Sequence, residues 1–281
     1  MGLVIEDDKW RIPDELWERI VPLLPDPPPH PLGCHRPRVP DRDAMNGILF
    51  VLRTGCQWNA LDATGIVSCS SAYRRFREWE AAGVFTRFWR QGLIRYDELV
   101  GIDWEYLAMD GAMTKAPLGG EKTGPNPTDR AKSGTKRSAL SDGAGLPLSV
   151  VVSGANRNDF KLARETLNRC QLKLPDPEGQ SPGICLDKGY DYDEVRDLLD
   201  EFGFTAHIRS RGEEAQAIKQ EAGYRARRWV VERLHSWMNR FRRILTRWEK
   251  RADTYLAMLH LACGIITWRT LQAHEHTGLS K

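Results

Sequence analysis

The sequence lacks paired cysteines and any apolar run of membrane-spanning length. Its six cysteines are scattered without a Cys-x-x-Cys pair, and its N-terminus lacks the charged-then-apolar run of a secretion signal. The long apolar stretch from Tyr255 to Trp268 has only 14 residues, which is too short to cross a bilayer and is typical of a buried core helix. We therefore expect reduced thiols, a cytoplasmic protein and no membrane role.

A strong excess of charge of one sign is also missing, because the formal net charge is only +3. The distribution is uneven, however. The segment from Arg225 to Arg251 holds ten basic residues and two acids, so the rest of the chain is net negative. A basic run usually marks a solvated face, but one concentrated on a short element could also neutralise a phosphate backbone.

Helical patterns dominate residues 1–100, which we interpret as a helical DNA-binding domain preceding a larger domain at 101–281. Pro13 begins the first pattern, and the second runs from Asp43 to Arg53 with Gly55 as its stop. The Pro-rich run from Pro25 to Pro31 separates the two. These signals predict two short amphipathic helices near the start of the chain.

A third helix is predicted to begin at Ser70 or Ser71. It places Tyr73, Phe76 and Trp79 at helical spacing, whereas Arg74 and Arg75 point elsewhere. Two interpretations remain open. The helix is either the recognition helix of a helix-turn-helix, with both arginines on DNA, or an ordinary amphipathic helix with solvated arginines.

After Gly101, short apolar runs bounded by Gly and Asp predict strands, first three in succession and then alternating with helices. The predicted strands are Tyr106 to Met109, Ser138 to Leu140, Leu146 to Val152, Ile184 to Leu186 and Ala206 to Ile208. The predicted helices are Asp159 to Arg169, Asp193 to Glu201 and the basic segment. This order favours an α/β fold, a mixed sheet flanked by helices on both faces as in ribonuclease-H-like nucleases.

A turn and a long loop-like segment interrupt this pattern of strands and helices. Asp142-Gly143 is a hairpin signal, so we interpret Asp142 as a turn residue. The segment from Gly119 to Lys136 is rich in Gly, Pro, Lys and Thr and is long for a loop inside a compact domain. It is either a loop that DNA orders or a flexible insertion.

Asp110 and Asp187 each follow a predicted strand directly. Magnesium prefers hard oxygen ligands, so a nucleic-acid site needs only two or three carboxylates held together by neighbouring strands. Two such ions about 3.5–4 Å apart could stabilise the attacking and the leaving oxygen. Each Asp also has a structural explanation, since Asp-Gly is a turn signature and Asp187 could cap the following turn.

Glu232 is the third acidic candidate. Apolar residues at steps of three and four predict one continuous helix from Val230 to Trp248. At about 100° per residue, Glu232 lies opposite that seam on a face shared with basic and polar residues, namely Arg225, Arg228, His235, Asn239 and Arg243. A lone carboxylate among cations suits a metal ligand beside phosphate contacts, although it could simply pair with Arg228.

Six segments of this sequence resemble the DDE transposases of bacterial insertion sequences, specifically the group named after insertion sequence 5. They are Met109 to Gly111, Lys132 to Arg137, Ser141 to Leu148, Gly154 to Asp159, Leu186 to Asp191 and Arg228 to Arg233. The N-terminal segment from Asn46 to Trp58 resembles the helical DNA-binding domain of the same group.

The resemblance implies a ribonuclease-H-like catalytic fold with Asp110, Asp187 and Glu232 as its acidic triad and metal ligands. It implies two Mg²⁺ or Mn²⁺ ions, cleavage at transposon terminal repeats, and attack of the freed 3′-hydroxyl on target DNA. By analogy, two DNA ends paired by a homodimer are expected, in a nucleoid-associated bacterial protein. A ribonuclease-H-like endonuclease without strand transfer and an inactive DNA-binding remnant are the alternatives.

Related transposases carry Tyr, Arg and Lys at −7, −4 and +7 from the glutamate. The corresponding residues here are Arg225, Arg228 and Asn239, so only the arginine fits. Arg228 is therefore the best single candidate for a phosphate contact.

Overall fold

The computed structural model describes residues 10–27, 37–175, 182–208 and 229–277. Its helices are α1 (Asp14–Ile20), α2 (Asp41–Thr54), α3 (Cys69–Ala81), α4 (Val84–Leu99), α5 (Ala163–Asn168), α6 (Asp193–Glu201), α7 (Trp229–Asn239), α8 (Arg242–Leu245) and α9 (Ala252–Thr277). Its strands are β1 (Tyr106–Lys115), β2 (Gly124–Pro125), β3 (Ser133–Ser141), β4 (Pro147–Gly154), β5 (Gly183–Leu186) and β6 (Thr205–Ile208).

The N-terminal helices follow the predicted boundaries closely. Gly55 ends α2 in the left-handed conformation, with φ of 72°, as its lack of a side chain allows. The Ser68 side chain caps α3 by accepting a hydrogen bond from the backbone N–H of Ser71. Helix α4, which follows α3 after a short turn at Gly83, was not predicted from the sequence.

The strands form one sheet in the order β2-β3-β1-β5-β6, and β4 pairs with β3 along the same edge as β2, away from β1. Strands β1, β3 and β4 are antiparallel, whereas β5 and β6 run parallel to β1. Helices pack on both faces, since α5 contacts β3 from one face through Thr166 and Ser138, and α7 contacts it from the other through Asn239 and Arg137. The predicted ribonuclease-H-like class of fold, with a helical region before it, is confirmed.

Strands β1 and β3 are longer than predicted, and the segment from Gly119 to Lys136 is correspondingly more ordered. The guanidinium of Arg247 donates hydrogen bonds to the backbone oxygens of Glu121 at 2.7 Å and Lys122 at 3.3 Å. A Cβ at Gly120 would lie 2.2 Å from the carbonyl oxygen of Lys250, so only glycine allows this close approach. The segment is therefore held against the region that follows α8.

The prediction of one continuous helix to Trp248 was wrong. Helix α7 ends at Asn239, Phe241 takes an extended conformation before the short α8, and Thr246 bridges to Lys115 of β1. The backbone N–H of Arg247 donates to the carbonyl oxygen of Lys115 at 2.8 Å. Pairing with the end of β1 therefore replaces the helical hydrogen bonds that the apolar spacing predicted.

Helix α9 lies at the centre of the molecule and confirms the predicted core helix at 255–268. It packs against α4 and β4, and the indole N–H of Trp89 on α4 donates to the carbonyl oxygen of Pro147 at 2.9 Å. One contiguous hydrophobic core therefore includes the N-terminal helices and the sheet.

The predicted division of the chain into two domains at residue 100 stays a prediction. None of the helices in the described part of the chain is long and apolar enough to span a bilayer.

Candidate functional site

Asp110 and Asp187 lie at the same level on neighbouring parallel strands. Ala108 of β1 pairs with Cys185 of β5, and two further residues along each strand lead to Asp110 and Asp187. Asp187 keeps extended backbone angles, with φ of −79° and ψ of 169°. Because side chains alternate along extended chain, both carboxylates lie on one face of the sheet.

Helix α7 covers that same face. Arg137 of β3 is the cross-strand partner of Ala112, and its Nη2 donates to Oδ1 of Asn239 on α7 at 2.8 Å. Nε2 of the buried His235 lies 3.3 Å from the carbonyl oxygen of Asp110. Glu232 precedes His235 by about one helical turn and is exposed. The three predicted acids therefore come from elements that contact one another.

The buried Tyr190 is influenced by the charges of the carboxylates at the two strand ends. Its side chain is fully buried, and its pKa is raised well above the ordinary value by burial first and then by the charges of Asp159, Asp110 and Asp187. Both strand-end carboxylates thus act electrostatically on one buried hydroxyl. A Cβ at Gly111 would meet the Asp159 carboxylate, so a larger residue beside Asp110 would displace that side chain.

The donor set has the right chemistry for a divalent cation, because carboxylate oxygens are the ligands that Mg²⁺ and Mn²⁺ prefer. One oxygen of each Asp already accepts a backbone N–H at 2.8 Å, from Gly111 for Asp110 and from Gly189 for Asp187. Asp187 thus caps the following turn, as its structural interpretation expected. No group of three or more His, Cys, Asp or Glu side chains is close enough to hold a metal within the described ranges.

The predicted DNA-contacting residues lie in different environments. Arg74 is exposed on α3. Arg75 is 5% exposed, and its Nε donates to Asp41 at 2.7 Å. Arg243 is 6% exposed, with its Nε donating to Glu249 at 2.6 Å. Arg225 and Arg228 lie outside the described residues.

The predicted polar face of the helix around Glu232 is therefore only partly correct. Arg243 lies beyond the end of α7, and both Arg243 and His235 are buried. Asn239 is half-buried and accepts a hydrogen bond from Arg137. Arg75 and Arg243 hold the protein together through ion pairs, so neither presents a free cation to a phosphate in this conformation.

Sequence spacing did not predict the roles of three residues that support this site. Arg137 and His235 hold α7 against the sheet, and the buried Tyr190 feels the charges of the strand-end carboxylates. On the outer side of α7, the guanidinium of Arg233 lies 4.5 Å from the ring of Trp229 and 4.7 Å from the ring of Trp237. The i, i+4 spacing of Trp229, Arg233 and Trp237 was the available signal for that stack.

Acid pH is expected to destabilise the protein through His235. Burial first, and then the charge of Arg137, lowers the pKa of His235 to about 3. As the pH falls, His235 therefore takes up a proton in the unfolded chain at a higher pH than in the folded protein. The stability that neutral His235 contributes is complete above about pH 6.5 and is lost below it. Between pH 7 and pH 5 we expect a loss of about 2 kcal/mol in the free energy of unfolding from this residue.

Urea unfolding of the wild type and of His235→Gln at both pH values measures this contribution. Gln can still donate to the Asp110 carbonyl but does not titrate, so the variant should lose less stability on acidification. The buried His260, whose pKa burial and Arg169 lower to about 4, remains in both proteins and cancels. An equal acid-induced loss in the two proteins would contradict this role of His235.

Two family models match the chain. The model described as "Transposase DDE domain" matches residues 104–266, and the one described as "Putative transposase of IS4/5 family" matches residues 12–89. Among curated proteins, the "Putative transposase for insertion sequence element IS402" of Burkholderia cepacia is 38% identical over 166 residues, which cover 57% of this chain and 74% of that relative. The "Insertion element IS402 uncharacterized 16.2 kDa protein" of the same organism is 42% identical over 120 residues, covering 41% of this chain and 80% of that relative.

Solved structures of the Mos1 transposase also match. The paired-end complex with the left transposon end has 13% sequence identity and a TM-score of 0.28, over 86% of this chain and 82% of that chain. The catalytic domain of the Mos1 mariner transposase has 11% identity and a TM-score of 0.28, over 65% of this chain and 91% of that chain.

Proposed function

Because this chain belongs to the DDE transposases of the IS4/5 family, we propose that Asp110, Asp187 and Glu232 are its acidic triad and hold two Mg²⁺ or Mn²⁺ ions. The protein is a metal-dependent DNA transposase. The observation that supports the assignment most is the position of Asp110 and Asp187 at the ends of neighbouring parallel strands, beneath the helix that carries Glu232.

Bound divalent ions supply a polarised nucleophile and stabilise the charge that develops on the attacking and leaving oxygens. The chain's own residues hold the ligands in place. His235 and Arg137 fix α7 on the sheet, and the N–H groups of Gly111 and Gly189 each orient one aspartate oxygen. Ion binding would require the carboxylates to turn toward one another, and the side chain of Glu232 is exposed at the surface of α7.

DNA is the partner of the enzyme, and we propose that it binds along the α7 and α3 surfaces. Among the predicted DNA contacts that lie in the described part of the chain, Arg74 is exposed. Arg228 and Arg225 are proposed as phosphate contacts from their spacing to Glu232 alone. Arg75 and Arg243 do not belong to this proposed surface because both are buried in ion pairs. Asn239 does not belong to it because its amide oxygen accepts from Arg137.

Replacing Arg74 with Ala is expected to weaken DNA binding roughly equally across sequences and to reduce the salt slope of binding by about one. The physical reason is the loss of one phosphate contact with its released counterion. Titration of labelled duplex DNA at several salt concentrations measures the slope. Arg95→Ala, which removes an exposed arginine from α4, is the matched control and should leave the slope unchanged. An equal slope for wild type and Arg74→Ala would remove Arg74 from the interface.

A strand-transfer assay with labelled terminal-repeat DNA and Mg²⁺ tests the proposed reaction. We expect cleavage at the repeat end and a joined product, both lost in Glu232→Gln. Cleavage without joining would favour the ribonuclease-H-like endonuclease. If a folded, DNA-binding protein gave neither product, the inactive remnant would be favoured.

Sizing of the DNA complex tests the proposed homodimer, and nucleoid association would follow from DNA binding.

A further inference from the structure

A cavity of about 470 Å³ opens between the N-terminal helices and the segment that follows α8. Its walls include Trp58, Tyr73 and Trp248. The rings of Trp58 and Tyr73 meet edge to face with centroids 5.2 Å apart, whereas Tyr73 and Trp248 are 42% and 40% exposed. Exposed aromatic rings around a cavity offer surfaces on which another flat ring can stack.

An ion pair between Arg243 and Glu249 forms part of the wall of this cavity. Oε1 of Glu249 accepts from Nε of Arg243 at 2.6 Å, and both side chains are more than nine-tenths buried. Oε2 of Glu249 is buried and has no hydrogen-bond partner within the described part of the chain. Arg243 offsets the charge of Glu249, so the carboxylate does not repel an anionic ligand. Because a carboxylate paired with an arginine only accepts, its second oxygen can pair with an N–H or O–H donor from a ligand.

The rim of the cavity is cationic. Lys250 and Arg251 both line it and are exposed. Arg251 pairs with Asp253, but Asp253 also contacts Arg77 at 3.3 Å. Arg77 also pairs with Glu80 at 3.0 Å, so two carboxylates balance these two arginines, and Lys250 adds a further positive charge at the rim. A phosphate at the rim would find a favourable potential.

We propose that this cavity binds one unpaired nucleotide of DNA whose base carries an exocyclic amino group. The base stacks against the aromatic walls, its amino group donates to Oε2 of Glu249, and its phosphate lies near Lys250. The proposal rests on the proposed function, which makes DNA the partner. The segment lining the cavity joins β1 at Lys115, and five residues of strand, roughly 17 Å, separate Lys115 from Asp110. One DNA molecule can therefore reach both places.

Fluorescence anisotropy with two duplexes that differ only in one unpaired terminal nucleotide, dC or dT, tests this site without metal. Cytosine presents an amino group where thymine presents a carbonyl oxygen. We expect the wild type to bind the dC duplex roughly tenfold more tightly, as one hydrogen bond to a charged group provides. Glu249→Gln, with its amide oxygen held by Arg243, would present an N–H₂ group and should abolish or reverse that preference.

Trp248→Ala changes an exposed residue and keeps the test valid if Glu249→Gln does not fold. It should weaken binding of the dC duplex by about tenfold or more through lost stacking, whereas Ile94→Ala, an exposed apolar change on α4, should not. Equal affinity of the wild type for both duplexes, or wild-type affinity in Trp248→Ala, would overturn the proposal. Glu232→Gln should keep the dC preference while losing strand transfer, so failure of the triad assignment is distinguishable from failure of this site.

Discussion

Replacing Asp110 with Asn is expected to lower the rates of DNA cleavage and joining by at least about a thousandfold. The change removes one charged oxygen ligand and leaves the size of the side chain nearly unchanged. A metal ion contributes several kcal/mol to stabilising the charge of the transition state, and each 1.36 kcal/mol corresponds to a factor of ten in rate. Asp187→Asn should have the same effect, because both side chains are proposed ligands of common ions.

Asp191→Asn is the matched control. Asp191 lies four residues after Asp187, is 36% exposed and pairs with Arg196 at 2.6 Å. Its loss removes only a surface ion pair, so cleavage and joining should stay within a few-fold of the wild type. Single-turnover rates with Mg²⁺, together with DNA affinity without metal, separate lost chemistry from lost binding. Near wild-type cleavage by Asp110→Asn would contradict its assignment as a ligand.

Replacing Arg247 with Met is expected to lower the free energy of unfolding by about 3–5 kcal/mol. Arg247 is 1% exposed, and its guanidinium donates to the backbone oxygens of Glu249 and Glu121 and to Oγ1 of Thr135, at 2.8, 2.7 and 3.2 Å. Met fills similar space but donates no hydrogen bond, so buried acceptors lose a charged donor. Each such bond contributes about 1.5–3 kcal/mol.

Urea unfolding of Arg247→Met and Arg242→Met measures this effect against a matched substitution. Arg242 is exposed on α8, five residues earlier, and its change should alter stability by at most about 0.5 kcal/mol. Equal stabilities of the two variants would show that the buried guanidinium does not anchor the segment after α8. A defect in DNA binding without a loss of stability would instead indicate that Arg247 contacts a phosphate.

The strand ends that carry the acids were predictable from the sequence because their signals are local. The apolar run before Asp187 predicts a strand at 184–186, and the structure has β5 at Gly183–Leu186. The pairing of β1 with β5, which puts Asp110 level with Asp187, follows from the predicted class of fold. The exposed position of Glu232 also agrees with its place opposite the apolar seam.

The environments of the arginines were not predictable, because their partners are set by tertiary contacts. Arg75 pairs with Asp41, 34 residues earlier, and Arg247 binds the backbone of Glu121, 126 residues earlier. Helical spacing treats both as surface cations. The end of α7 at Asn239 was missed for the same reason. The pairing of Thr246 with Lys115 prevents the helix from continuing, and this distant contact cannot be seen in the local spacing of apolar residues.

Manganese binding to the DNA complex, followed by electron paramagnetic resonance, tests the acidic triad most directly. The wild-type complex should bind two Mn²⁺ ions per chain, and Asp110→Asn, Asp187→Asn and Glu232→Gln should each weaken that binding, whereas Asp191→Asn should not. Mn²⁺ binding that is absent from the wild type, or that survives unchanged in all three variants, would contradict the assignment of these carboxylates as ligands of common ions.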